Sequence, residues 1–149
     1  MYKKILIATD GSDLAARALE HGAQLAKTVD AEVVVVTVIE PAALMGGGYA
    51  SVAGTVYDPV PELIEAQKEA TTKLLQGALA KVSAFGVAVT SEYVDNSFPA
   101  EGIISTAERV GADLIVMGSH GRRGLGRLLL GSQTNEVLAH TKLPVLVTR

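Results

Sequence analysis

Five short apolar segments alternate along the chain with four longer segments of helical period, and this alternation limits the folds open to it. Lys4 to Thr9 (KILIAT), Glu32 to Ile39 (EVVVVTVI), Val87 to Val94 (VAVTSEYV), Asp113 to Gly118 (DLIVMG) and Leu143 to Thr148 (LPVLVT) read as strands. The first, second and fourth are nearly continuous β-branched or apolar runs, which suits strands covered on both faces of a parallel sheet. Between them, Ser12 caps a helix running to about Thr28, and Pro61 opens a longer one that Gly86 stops. A third runs from Pro99 to Gly111 and a fourth from Ser132 to about His140. The pattern predicts an α/β fold of Rossmann-like type: a single open, doubly wound parallel sheet of five strands, taken in the order 3-2-1-4-5, with four helices.

A chain of 149 residues, 48% hydrophobic, has the material for one sizeable core, so residues 1–149 are expected to form one domain. A net charge of −3 and a pI near 5.6 give no basic field, and no nucleic-acid partner is expected. There is no cysteine, which excludes disulfides and thiolate metal sites. The first apolar run ends at Asp10, too soon for a signal-peptide core or a membrane span, so no membrane partner and a cytoplasmic location are expected. Pro41 to Pro61 (PAALMGGGYASVAGTVYDPVP) lacks a clear period, and a loop of that length is expected to be mobile and near the strand-two end of any site.

The stretch from Gly118 to Ser132 (GSHGRRGLGRLLLGS) holds five glycines and three arginines directly after the fourth strand. Open α/β sheets bind ligands at the carboxyl ends of their strands, and Gly118 and Gly121 would let a ligand approach bare backbone there. Gly131 and Ser132 stand where the fourth helix begins, so its free N–H groups and positive dipole end would face the same anion. Arg122, Arg123 and Arg127 add positive charge between them. A flexible surface loop, with Gly for turns and Arg for solubility, explains the composition as well. A second half-site shifts the balance: Ala8, Thr9, Asp10, Gly11 and Ser12 end the first strand, which neighbours the fourth in the assumed order. Asp10 suits paired hydroxyls such as those of a ribose, or else it is a turn or capping residue.

These residues resemble the universal stress proteins of the ATP-binding type. The family motif G-x2-G-x9-G-[ST] is matched by Gly118, Gly121, Gly131 and Ser132, and its strand-one Asp by Asp10; the likeness runs from KILIATDGS to LPVLVTR. The resemblance implies adenine against backbone near Val38, ribose at Asp10, and phosphates in the glycine loop. It further implies contacts from Ala8, Thr9, Met117, Gly118, His120, Gly121, Gly131, Ser132, Gln133 and Thr134. Many members carry Val where this chain has Gln133.

No G-x4-G-K-[ST] P-loop is present, and Gly124-Leu125-Gly126 lacks the third small residue of a dinucleotide fingerprint. His120 is the only histidine near the expected phosphates, and no second group stands at a recognisable spacing to orient it; His21 and His140 fall on helices. No carboxylate pair is laid out for a metal, although Mg or Mn could arrive bridging the phosphates of the nucleotide itself. The expected function is binding of ATP, or of ADP or AMP, as a regulatory or structural ligand in a stress response, with at most weak ATPase activity and no catalytic residue assigned. A slow ATP hydrolase or nucleotidyl transferase, and a ligand-free protein-interaction module, are the alternatives. A homodimer through residues 143–149 is expected, since this apolar edge strand needs cover and similar proteins commonly pair there; a monomer with a short edge is the competing view.

Overall fold

A computed structural model of the chain describes residues 1–40, 61–95, 97–120 and 130–149. The elements run β1 (Lys4–Ala8), α1 (Asp13–Val29), β2 (Glu32–Val38), α2 (Pro61–Ser83), β3 (Val89–Val94), α3 (Pro99–Val110), β4 (Leu114–Gly118), α4 (Ser132–His140) and β5 (Val145–Thr148). The strands form one parallel sheet in the order β3-β2-β1-β4-β5, as the sequence predicts. Each strand is shorter than its expected run, three by one residue at an end and two by a late start: β3 starts at Val89, and β5 at Val145, after Pro144, which has no N–H to give to a ladder. Pro144 still contributes its carbonyl, which accepts from Ile115 N at 3.0 Å.

Alternation along the central strands builds two cores. Ile5, Ile7, Val33, Val35, Leu114 and Val116 point to one face and meet α1 and α2 through Ala18, Ala23, Ala78 and Val82. Leu6, Ala8, Val34, Val36, Ile115 and Met117 point to the other, where Ile103 and Ala107 of α3 and Val137 of α4 cover them. Burial on both faces is why these three strands read as continuous apolar runs rather than alternating ones.

The helices begin and end on local chemistry. Ser12 Oγ accepts from Ala15 N at 3.2 Å to open α1, and α1 stops where Asp30 turns left-handed at φ 56°. α3 starts on Pro99 and stops at Gly111, φ 69°. Register at the amino ends is fixed by Asp113, whose carboxylate accepts from Lys3 N at 2.8 Å and Lys4 N at 3.3 Å, tying the entry of β4 to that of β1. The parallel strands deliver Ala8, Val38, Val94 and Gly118 to the opposite, carboxyl end of the sheet. Among the described residues, no helix is long and apolar enough to cross a membrane.

Candidate functional site

β1 carries Ala8 to the carboxyl edge of the sheet, and the next four residues fold into a turn held by their own side chains. Thr9 is buried and its N–H donates to Val36 O at 2.9 Å, so the chain stays in register with β2 for one residue past the strand. Thr9 Oγ1 then accepts from Gly11 N at 3.3 Å and Asp10 Oδ1 from Ser12 N at 2.9 Å. The Asp10 bond is the turn role that Asp favours in such a stretch. A carboxylate can accept at both oxygens. Val38, at the end of β2, is opposite Val94 and turns its methyls toward Gly102 of α3.

β4 brings Met117 and Gly118 to the same edge, beside β1. A Cβ built on Gly118 would lie 3.1 Å from Leu14 Cβ and 3.2 Å from the Leu14 carbonyl carbon. Glycine here lets the first turn of α1 pack on the end of β4, because a side chain at this position would face the helix. The contact also draws the β1–α1 turn and the end of β4 together.

Beyond β4 the chain is pinned on both sides of residues 121–129. Gly131 N donates to Ser119 O at 2.7 Å, and a Cβ on Gly131 would lie 3.0 Å from that same oxygen and 3.3 Å from His120 Cα. Thr134, buried in α4, sends its hydroxyl to Gly118 O and Ser119 O, both at 3.1 Å. Ser119 N in turn donates to Thr148 O at 2.8 Å. Ala8, Thr9, Asp10, Met117, Gly118, His120 and Gly131 to Thr134 are therefore gathered at one end of the sheet, with Val38 on the neighbouring strand. Gly121, Arg122, Arg123, Arg127 and residues 41–60 lie outside the described residues.

α4 opens differently from the others. Its N-cap is Gly131, without a capping side chain, and its first turn holds no acidic residue, whereas α1, α2 and α3 carry Asp13, Glu62 and Glu101 there. The first turn of α4 thus supplies no negative charge of its own to the positive end of the helix dipole. Gln133 explains the departure from the family pattern: its Oε1 accepts from Ala100 N at 3.1 Å, capping the first turn of α3. Its side chain ties two helices together, and only its backbone remains at the α4 terminus. Sequence reasoning had no signal for this bond, which joins residues far apart in the chain.

Ser119 Oγ lies 3.0 Å from His120 Nδ1. Among the described residues no group of three or more His, Asp or Glu side chains could hold a metal ion. Backbone donors at a helix start, beside a carboxylate and a histidine, are groups suited to hold an anion with a hydroxylated neighbour.

Thr134 supplies a test of the pinning. Thr134→Val keeps the shape but removes the donor shared by two carbonyls, and should lower stability by about 1–3 kcal/mol. Urea unfolding measures this; an unchanged midpoint would mean that the Gly131 bond alone holds the junction.

The chain matches the universal stress protein family over residues 1–149. It is 36% identical over 149 residues to universal stress protein MJ0531 of Methanocaldococcus jannaschii, covering 100% of this chain and 83% of that protein. The solved structure of hypothetical protein MJ0577, from the same organism, matches with a TM-score of 0.81 at 32% identity, over 99% of this chain and 96% of that one. A universal stress protein from Archaeoglobus fulgidus, solved in complex with dAMP, shares the fold at a TM-score of 0.69 and 23% identity, over 99% and 98% of the two chains.

Proposed function

The chain belongs to the universal stress protein family, and on that premise we propose that it binds ATP, with ADP and AMP as weaker or alternative ligands, at the carboxyl end of the sheet. The observation that carries this reading is the convergence of the β1–α1 turn and the uncapped start of α4 on the end of β4, through the Gly118–Leu14 and Gly131–Ser119 contacts. A fold relative in complex with dAMP supports the adenine nucleotide class. Phosphates would take the first-turn N–H groups of Ser132, Gln133 and Thr134, and ribose hydroxyls would take Asp10. The adenine would lie toward Val38. Any Mg²⁺ or Mn²⁺ would be held chiefly by the phosphates.

The nucleotide serves as a regulatory or structural ligand. His120 has Ser119 at Nδ1, and no carboxylate is bonded to its ring among the described residues to orient it as a general base. Calorimetric titration with ATP, ADP, AMP and cyclic AMP tests the binding. At a ligand concentration about a hundred times Kd, linkage adds roughly 2.7 kcal/mol, a rise in melting temperature of several degrees. Phosphate release should fall well below about 1 per second, the low end of ordinary enzyme turnover. A faster rate, lost on substitution of His120 or Asp10, would make the protein an ATPase.

The same reading includes a homodimer through β5. β5 pairs with β4 on one side only. Its register with Ile115 and Met117 sets Val145 and Val147 on the α3–α4 face, and Leu146, 37% exposed, lies on the other. A second β5 related by a two-fold axis would satisfy the open edge. Light scattering at micromolar concentration should give a dimer for the unaltered chain and a monomer for Val145→Lys/Val147→Lys. A monomeric mass for the unaltered chain rejects the pairing.

A further inference from the structure

A concavity lies between α3 and α4, and apart from Gln133, which stands at its α4 end, the nucleotide reading makes no use of its lining. It is a groove of about 620 Å³. Phe98, 54% exposed at the start of α3, closes one end, and Ala100 and Ile104 form its apolar wall. Glu101 and Glu108 stand along the α3 rim and Glu136 on the α4 rim, and no lysine or arginine is among the described residues lining it. Glu101 and Glu108 have no ion-pair partner among the described residues, and Glu136 is paired only with His140, at 3.3 Å.

We propose that this groove is a docking surface for a cationic amphipathic helix of a partner protein. Three observations fix that chemistry. An apolar channel between two helices has the shape that accepts a third helix along its apolar stripe. The rim carries carboxylates on both sides and no lysine or arginine among the described residues, so complementarity favours positive charge on the occupant. Glu101 and Glu108 are seven residues apart, about 10.5 Å along α3, the separation of two Lys or Arg residues two turns apart on an incoming helix. Apolar residues in the turns between them would then meet Ile104, and one beyond the first cation would meet Phe98. The groove is also preformed, because the Gln133–Ala100 bond clamps the start of α4 to that of α3, and a rigid site loses less entropy on binding.

The probe is a synthetic helical peptide of about three turns, with an alanine–leucine stripe flanked by lysines two turns apart; its counterpart has glutamate for each lysine. Fluorescence anisotropy should show the lysine peptide binding and the glutamate peptide failing to bind. Amide shifts in a ¹⁵N-labelled sample should fall on α3 and α4. Glu101→Gln/Glu108→Gln should weaken the lysine peptide about ten-fold. Glu62→Gln/Glu65→Gln removes the same charge from α2, on the opposite face of the sheet, and should change the affinity less than about two-fold. Glu136→Gln alone, which leaves α3 untouched, should weaken binding by an intermediate factor. Equal losses in the α2 and α3 double variants would reduce the attraction to net charge and overturn the proposal. Self-association of the protein that disappears in Glu101→Gln/Glu108→Gln would assign the groove to a second copy and overturn it equally.

Discussion

Ser132→Asp lowers the affinity for ATP by at least about ten-fold while leaving the unliganded protein as stable as before, or slightly more so. The two effects have opposite signs for one reason. Ser132 is exposed at the first position of α4, whose N-cap Gly131 offers no side chain and whose first turn has no acid. A carboxylate there compensates the helix dipole, worth about 0.3–1 kcal/mol. It also stands where phosphate oxygens would accept the first-turn N–H groups, and like charges at close range cost several times more than the dipole returns. Thermal unfolding without ligand and calorimetric titration with ATP separate the two terms. An unchanged ATP affinity would remove the α4 terminus from the site. A loss of affinity accompanied by a collapse in stability would mean that the variant had merely unfolded the junction.

Gly118→Val should cost about 1–3 kcal/mol of stability before any ligand is added, the usual range for overpacking a tight contact. The built Cβ meets Leu14 Cβ at 3.1 Å and the Leu14 carbonyl carbon and oxygen at 3.2 and 3.3 Å. Part of that surface is backbone in the first turn of α1 and cannot swing aside as a side-chain tip would. Relief requires α1 to move off β4, which loosens the β1–α1 turn carrying Asp10. Nucleotide affinity should therefore fall with stability, and Gly118→Ala should lie between the wild type and Val in both. Equilibrium urea unfolding of the three proteins decides it. Full stability in Gly118→Val with binding abolished would show instead that the side chain occupies ligand space, the role that the sequence motif alone assigns to this glycine.

The legible part of this fold was the part written in local periodicity. β1, β2 and β4 stand in the sequence as continuous apolar runs because both faces of each strand are buried, and Ser12, Pro61, Pro99 and Gly111 mark helix ends by their own backbone or side-chain chemistry. The gathering of Asp10, Gly118 and Gly131 at one end of the sheet followed from parallel strand order, since every strand then delivers its carboxyl end to the same edge. Contacts made by two distant segments were hidden. Nothing in the neighbourhood of Gly118 announces Leu14 as its packing partner, and nothing near Gln133 announces Ala100 N. Gln133 reads from sequence as a departure from a ligand-contacting pattern, whereas in the fold it is a helix cap for α3. The α3–α4 groove was hidden for the same reason: Glu101, Glu108 and Glu136 are ordinary surface carboxylates in the sequence, and only the packing of two helices sets them around one apolar channel. Of the two sequence readings of Asp10, the fold displays the turn role, through the bond from Ser12 N, and the ribose role belongs to the proposed nucleotide site.

Mapping backbone amide shifts of the ¹⁵N-labelled protein during titration with ATP tests the nucleotide site most directly. The account predicts saturable changes at Thr9 to Ser12, at Gly118 to His120 and at Gly131 to Thr134, with the α3–α4 groove residues Ile104, Ser105 and Glu108 unmoved. No saturable shift at millimolar ATP, or shifts confined to the groove while the ends of β1 and β4 stay still, would contradict it.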